Sequence, residues 1–224
     1  RLACPRGNLR REDERSRTGQ ARPALPFSLS YSAQDNHFEF ALQDADVVML
    51  SPLVKRLRGW QPEGKVDFRV VVDGDRAQLR LALHAVGFAS KAGDIVGKNI
   101  ALTLTADAQR AGAGWTWQAR LDWPQGELWR APWRRAAGVR VVANGRYNAR
   151  EIDVGNARVE VDGIGALNAA LNWDREREEP SAWGFVTEPL DLATAMREGV
   201  QPWLAGFGFP QVITRGKALF SAEW

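Results

Sequence analysis

Between Gly114 and Trp123 the chain reads GWTWQARLDW, with Trp115, Trp117, Ala119, Leu121 and Trp123 alternating with Thr116, Gln118, Arg120 and Asp122. A period of two places the first set on one face of an extended strand and the second on the other, an arrangement that a helix of 3.6 residues per turn cannot keep. At about 3.4 Å per residue the run extends roughly 30 Å. The same alternation marks Phe27, Leu29 and Tyr31; Phe38, Phe40 and Leu42; Val66, Phe68, Val70 and Val72; Leu79, Leu81, Leu83 and Ala85; and Ile100, Leu102 and Leu104. VRVVANGRYN, ARVEVDG and ALNAALNW continue it. About nine or ten strands joined by short turns are expected, with Asp73-Gly74 and Asn144-Gly145 as hairpin signals. The stretches around those two dipeptides share a layout that suggests an internal repeat.

Two segments depart from the pattern. Residues 188–205, EPLDLATAMREGVQPWLA, have helical spacing limited by Gly199 and Pro202. Between Asp46 and Arg58 a short helix or turn is expected, with Ser51 as N-cap, Pro52 at the first helical position and Gly59 closing it. Residues 1–24 carry no hydrophobic period and are dense in Arg, Gly and Pro, so they read as a disordered basic tail or linker. Residues 25–224 are then a single β-rich domain. A chain that stops in strand character at ITRGKALFSAEW is expected to be a segment of a longer protein whose sheet continues past residue 224.

Charge argues against a nucleic-acid partner. The sequence pI is about 9.3, but residues 1–22 hold seven arginines against Glu12, Asp13 and Glu14, a net of +4 within a total of +3. The remainder is near −1 and has no clustered basic face for phosphates. Cys4 is the one cysteine, which excludes an intrachain disulfide and a thiolate metal cluster. No run approaches the roughly 18 apolar residues of a membrane span.

Enzymatic motifs fail on spacing. SKAGDIVGKN has Ala92 where a phosphate loop needs its first glycine, and Asn99 follows Lys98 in place of Ser or Thr. VEVDGIGALN offers Gly163 and Gly165 after a strand but Asn168 at the third glycine position. His37 and His84 sit on polar strand faces, and Asp73, Asp75, Glu178 and Glu179 fall at turns or in a charge run. The reading is a protein that is not an enzyme, with no catalytic residues, no metal site and no cofactor.

Ten tryptophans stand out, three of them on one face of one strand. They suit either a buried core or an apolar surface held open for a ligand. GWTWQARLDW, then GELW with Pro132 soon after, then VRVVANGRYNAREIDVGNARVEVDGIGALNAALNWD, resemble the long β-sheet domains of the AsmA-like group of bacterial envelope proteins, of the YdbH and TamB type. Looser similarity covers residues 60–110. The resemblance implies a curved antiparallel β-meander forming an apolar groove, periplasmic and held at the inner membrane by an anchor outside this segment. The implied ligand is phospholipid or another acyl chain, conducted between the two membranes, with other envelope proteins as partners. On that reading Leu79, Leu81, Leu83, Leu102, Leu104, Trp115, Trp117, Leu121 and Trp123 face the groove. Two other architectures fit the alternation: a closed, Trp-rich β-sandwich that binds carbohydrate or protein, and part of an outer-membrane barrel ending at Phe220 and Trp224.

Overall fold

The computed structural model describes residues 2–9, 25–50 and 60–224, the first of these by backbone pairing alone. The fold is a long antiparallel meander. Its strands are β1 (Leu2–Leu9), β2 (Leu25–Ser32), β3 (His37–Asp46), β4 (Glu63–Asp73), β5 (Arg76–Ala89), β6 (Ile95–Ala111), β7 (Gly114–Arg130), β8 (Trp133–Ala136), β9 (Val139–Tyr147), β10 (Glu151–Val161), β11 (Gly165–Asp174) and β12 (Glu179–Thr187). After β13 (Leu190–Asp191) comes a helical segment, then β14 (Lys217–Ala218) and β15 (Ser221–Glu223). The main sheet runs β1 to β7, then β9 to β12, then β15, with β8 folded back on β7. β13 and β14 form a separate two-stranded ladder.

Because nearly every strand pairs with its sequence neighbours, short turns suffice, and the sheet stays one layer with β1 and β15 at its edges. It is open, so neither a closed sandwich nor a barrel is formed. The accessible surface is 15941 Å², against about 10,000 Å² for a compact monomer of this mass. No large side chain is fully buried among the described residues.

What core exists lies along a crease. β3, β5, β6 and β7 each carry one extra residue against a neighbour, with positive φ at Asp44, Ala85 and Asn99 in the first three; Gly64 and Gly126, also of positive φ, lie opposite the slips of β5 and β6. An extra residue of this kind bends its strand and sharpens the local twist. Stacked across β3 to β7, the bulges turn the strand ends together over the apolar side. Leu42, Ala45, Val66, Val86, Ile100 and Trp123 are buried beside this line, with Leu25 and Val47 completing the cluster. Val47 belongs to α1 (Val47–Leu50), whose Met49 and Leu50 pack against the same cluster. Two glycines are needed for the crease: a Cβ on Gly64 would lie 2.7 Å from the Ala85 carbonyl oxygen, and one on Gly126 would lie 2.6 Å from that of Asn99.

Four expectations change. Leu2–Leu9, expected within a tail or linker, pairs antiparallel with β2; residues 10–24 lie outside the described residues. The helix near residue 50 occupies Val47–Leu50, and the expected cap and stop, Ser51, Pro52 and Gly59, fall outside them too. Asn144-Gly145 is not a turn: both residues lie inside β9, paired on each side, and the chain reverses at 148–150. The proposed repeat loses its second hairpin signal with it. Ala85 does not share the face of Leu83, because the slip there passes the apolar position to Val86.

The helical segment expected near 188–205 is present as α2 (Leu192–Ala195), a π turn over Met196–Val200, and α3 (Gln201–Gly206). Asp191 caps α2 through its Oδ1, which accepts from the Thr194 amide at 2.8 Å. That contact, with Arg197 and Lys217 nearby, holds the Asp191 carboxyl below its ordinary range.

Candidate functional site: one uncharged face of an open sheet

Strand register assembles the alternating residues into rows that cross the sheet. The first row runs Leu29, Phe40, Val70, Leu79, Ala106, Ala119, Ala143, Ala157, Ala169, Phe185. On one side lies Phe27, Leu42, Phe68, Leu81, Leu104, Leu121, Val141, Val159, Leu167. On the other lies Tyr31, Phe38, Val72, Ala77, Ala108, Trp117, Gly145, Val154, Leu171, Trp183. None of the three contains a charged residue. From β2 to β12 the first row crosses ten strands, about 43 Å at roughly 4.8 Å per strand.

The rows differ in height. Five consecutive alanines, Ala106 to Ala169, run along the middle row from β6 to β11, with leucine and valine on one side of them and, on the other, Trp117, Val154 and Leu171 interrupted by the small Ala108 and Gly145. Short side chains between taller ones make a shallow trough perpendicular to the strands. These residues are half-buried for the most part, and Leu171 and Trp183 are exposed toward the β12 end. Among the described residues no second sheet covers them.

The opposite face is polar and ion-paired. Arg69 donates to Glu39 at 2.9 Å, Arg140 to Glu160 at 3.1 Å, and Arg158 to both Glu160 and Glu188. The two arginines hold the Glu160 carboxyl below the usual carboxylate range, Arg158 contributing most. His84 faces solvent and meets Asp67 at 2.8 Å, while Asp67 also accepts from the Asp44 amide at 2.6 Å. The Asp67 pKa is depressed, first by that amide and then by His84. The group therefore braces the Asp44 bulge, and among the described residues no hydroxyl or thiol nucleophile is bonded to this histidine. The SKAGDIVGKN segment is the turn into β6, closed by Ser90, whose hydroxyl donates to Asp94 and accepts from the Ile95 amide. Among the described residues no three His, Cys, Asp or Glu side chains are grouped to hold a metal ion, and no helix is long and apolar enough to cross a membrane.

Register places Leu79, Leu81, Leu104, Trp117 and Leu121 in the three rows, Leu83 and Leu102 opposite each other nearer the crease, and Trp115 across from Tyr147 at the far rim. Trp123 differs from its expected place. It is buried in the crease cluster and its Nε1 donates to the Gln125 carbonyl at 2.9 Å, so it supports the bend and offers no open surface. Sequence reasoning missed the alanine row, although Ala119 and Ala169 lie in plain alternation with larger neighbours; only register aligns them. No family model, curated protein or solved structure matches the chain.

Proposed function

We propose that the chain is a non-catalytic lipid-binding segment of the bacterial envelope, in which acyl chains lie along the alanine trough and are conducted across the sheet. The observation that carries this reading is the set of three uncharged rows, continuous across nine or ten strands of a single open layer. A core shaped by such rows needs a covering layer, whereas an acyl chain is a linear apolar ligand that fits a linear trough. Each methylene taken from water contributes about 0.8 kcal/mol, so contact over several strands retains a lipid without any polar anchor. The proposed setting is the periplasm, with attachment to the inner membrane through a segment outside this one.

Native mass spectrometry of protein purified from a Gram-negative host, with lipid extraction of the same sample, tests the reading. Phospholipid is expected to copurify and to be lost on Leu104→Lys or Trp117→Glu, while Gln118→Lys on the opposite face retains it. Undiminished lipid in both apolar-face variants, with native far-UV circular dichroism, overturns the proposal. A lipid-free protein that instead binds a glycan through its exposed tryptophans moves the reading to a carbohydrate-binding module.

A further inference from the structure

The helical segment turns its apolar stripe away from the sheet. In an uninterrupted α-helix Leu192, Met196, Val200, Trp203 and Phe207 would share one face. Leu192 and Met196 are half-buried, but Val200, Trp203 and Phe207 are 43%, 47% and 65% exposed. The π turn over Met196–Val200 accounts for the change: the Gln201 amide donates to the Met196 carbonyl, five residues back. One extra residue in a turn rotates the remainder of the helix by about 100°.

The loop after the helix is held in the same outward attitude. Gln201 accepts from the Val212 amide at 2.8 Å and donates to the Pro210 carbonyl at 3.3 Å, and the Thr214 hydroxyl donates to the Leu192 carbonyl at 2.8 Å. These bonds use the polar groups inward and leave Phe209 and Ile213 exposed, Ile213 at 78%. Trp203 and Phe207 meet edge to face at 4.8 Å. On the sheet side Trp133 donates to the Gly199 carbonyl at 2.7 Å and Arg135 pairs with Glu198, so the segment is fixed to β8. Between Gly199 and Ala222 there is no Asp or Glu, while Arg215 and Lys217 supply positive charge.

From this geometry we propose that the cap formed by residues 199–217 docks on an anionic lipid bilayer, with Trp203, Phe207, Phe209 and Ile213 inserted at the headgroup level and Arg215 and Lys217 against the phosphates. Aromatic and aliphatic tips on a segment with no carboxylate of its own suit the interface of a membrane; Arg215 and Lys217 supply the cations, Lys217 across from Asp191. The negative surface potential of anionic lipid complements the charge. Docking of the cap is independent of the cargo in the trough.

Flotation of the full chain with vesicles of phosphatidylcholine alone, or of phosphatidylcholine with phosphatidylglycerol, tests it. Binding to the anionic vesicles is expected, reduced on the order of tenfold or more by combined Phe207→Ser, Phe209→Ser and Ile213→Ser. Arg215→Glu with Lys217→Glu is expected to remove the preference for the anionic vesicles and the sensitivity to added salt. Lipid copurified in the trough should be the same in all variants, which separates failure of this proposal from failure of the trough reading. Absence of wild-type binding to either vesicle overturns it, as does equal binding by the triple serine variant. Self-association that the triple variant abolishes, without vesicle binding, assigns the patch to a second copy and likewise overturns it.

Discussion

Gly126→Ala tests whether the crease is built on close backbone approach. Gly126 has φ of +109°, and an added Cβ would sit 2.6 Å from both the Asn99 carbonyl oxygen and the Ile100 Cα. An L-residue held in such a conformation costs about 1–3 kcal/mol. Relieving the overlap forces β6 and β7 apart beside Ile100 and Trp123, at a further cost of about 1–3 kcal/mol. Together these amount to about 2–6 kcal/mol. Gly74→Ala is the control, because Gly74 also has positive φ, at +56°, but has nothing within 4 Å of its would-be Cβ. It should cost only about 1–2 kcal/mol. Urea unfolding followed by tryptophan fluorescence compares the two, at constant m. Near-equal losses would refute the argument, since the crease would then tolerate a methyl group between its strands.

The two tryptophan environments predict opposite outcomes: Trp123→Ala should cost about 3–5 kcal/mol by emptying the crease cluster, whereas Trp117→Ala on the open face should leave the urea midpoint nearly unchanged and lower lipid occupancy. Ala119→Phe with Ala143→Phe should obstruct the trough; displacing contact with three or four methylenes lowers affinity on the order of 100-fold, measurable by competition with a fluorescent fatty acid, and unchanged affinity would show that the ligand lies elsewhere. For pH, the Asp67 carboxyl is held below its ordinary value near 3.8 by the Asp44 amide and His84, so its contribution is fully present above that value and is lost as pH falls through the lower folded value. Acid titration of Asp67→Asn should therefore show a shallower loss of stability below about pH 4 than wild type, and an identical profile would remove Asp67 from the acid response.

The strands were legible because one side of each is apolar and the other polar, and a two-residue period survives without tertiary knowledge. Val66 to Val72 and Trp115 to Leu121 lie where their alternation places them. The crease was not legible. A single extra residue such as Ala85 shifts the phase by one, so Leu83 and Val86 share a side although their spacing is odd. Asn144-Gly145 misled for a related reason: the dipeptide suits a tight turn, but here glycine is required inside β9, where an added Cβ would run into the Trp117 ring from β7 and the Asp153 carbonyl from β10. Propensity describes what a residue tolerates locally, and the neighbour that makes the demand is remote in sequence. Likewise the helical spacing of residues 188–205 gave no sign of the π turn, whose register decides which side of the segment faces out.

On the proposed reading the alanine row is a binding surface and not an unfinished core. In a closed sandwich, a trough of five alanines must be filled by ridges of the facing sheet, because voids forfeit dispersion contacts on both walls. Among the described residues, the elements folded over the apolar side are α1 and the strand ends at the crease, and they pack in the cluster of Leu42, Val66, Val86, Ile100 and Trp123, which borders the rows away from Ala119 and Ala143. Burial is thus concentrated at one margin, where it fixes curvature, and withheld from the centre, where the side chains are smallest. A sequence shaped for stability alone would place its large apolar residues at the centre of the sheet. Leaving alanine in the middle keeps a continuous uncharged path from strand to strand, which is the property the proposed conduit for apolar chains requires.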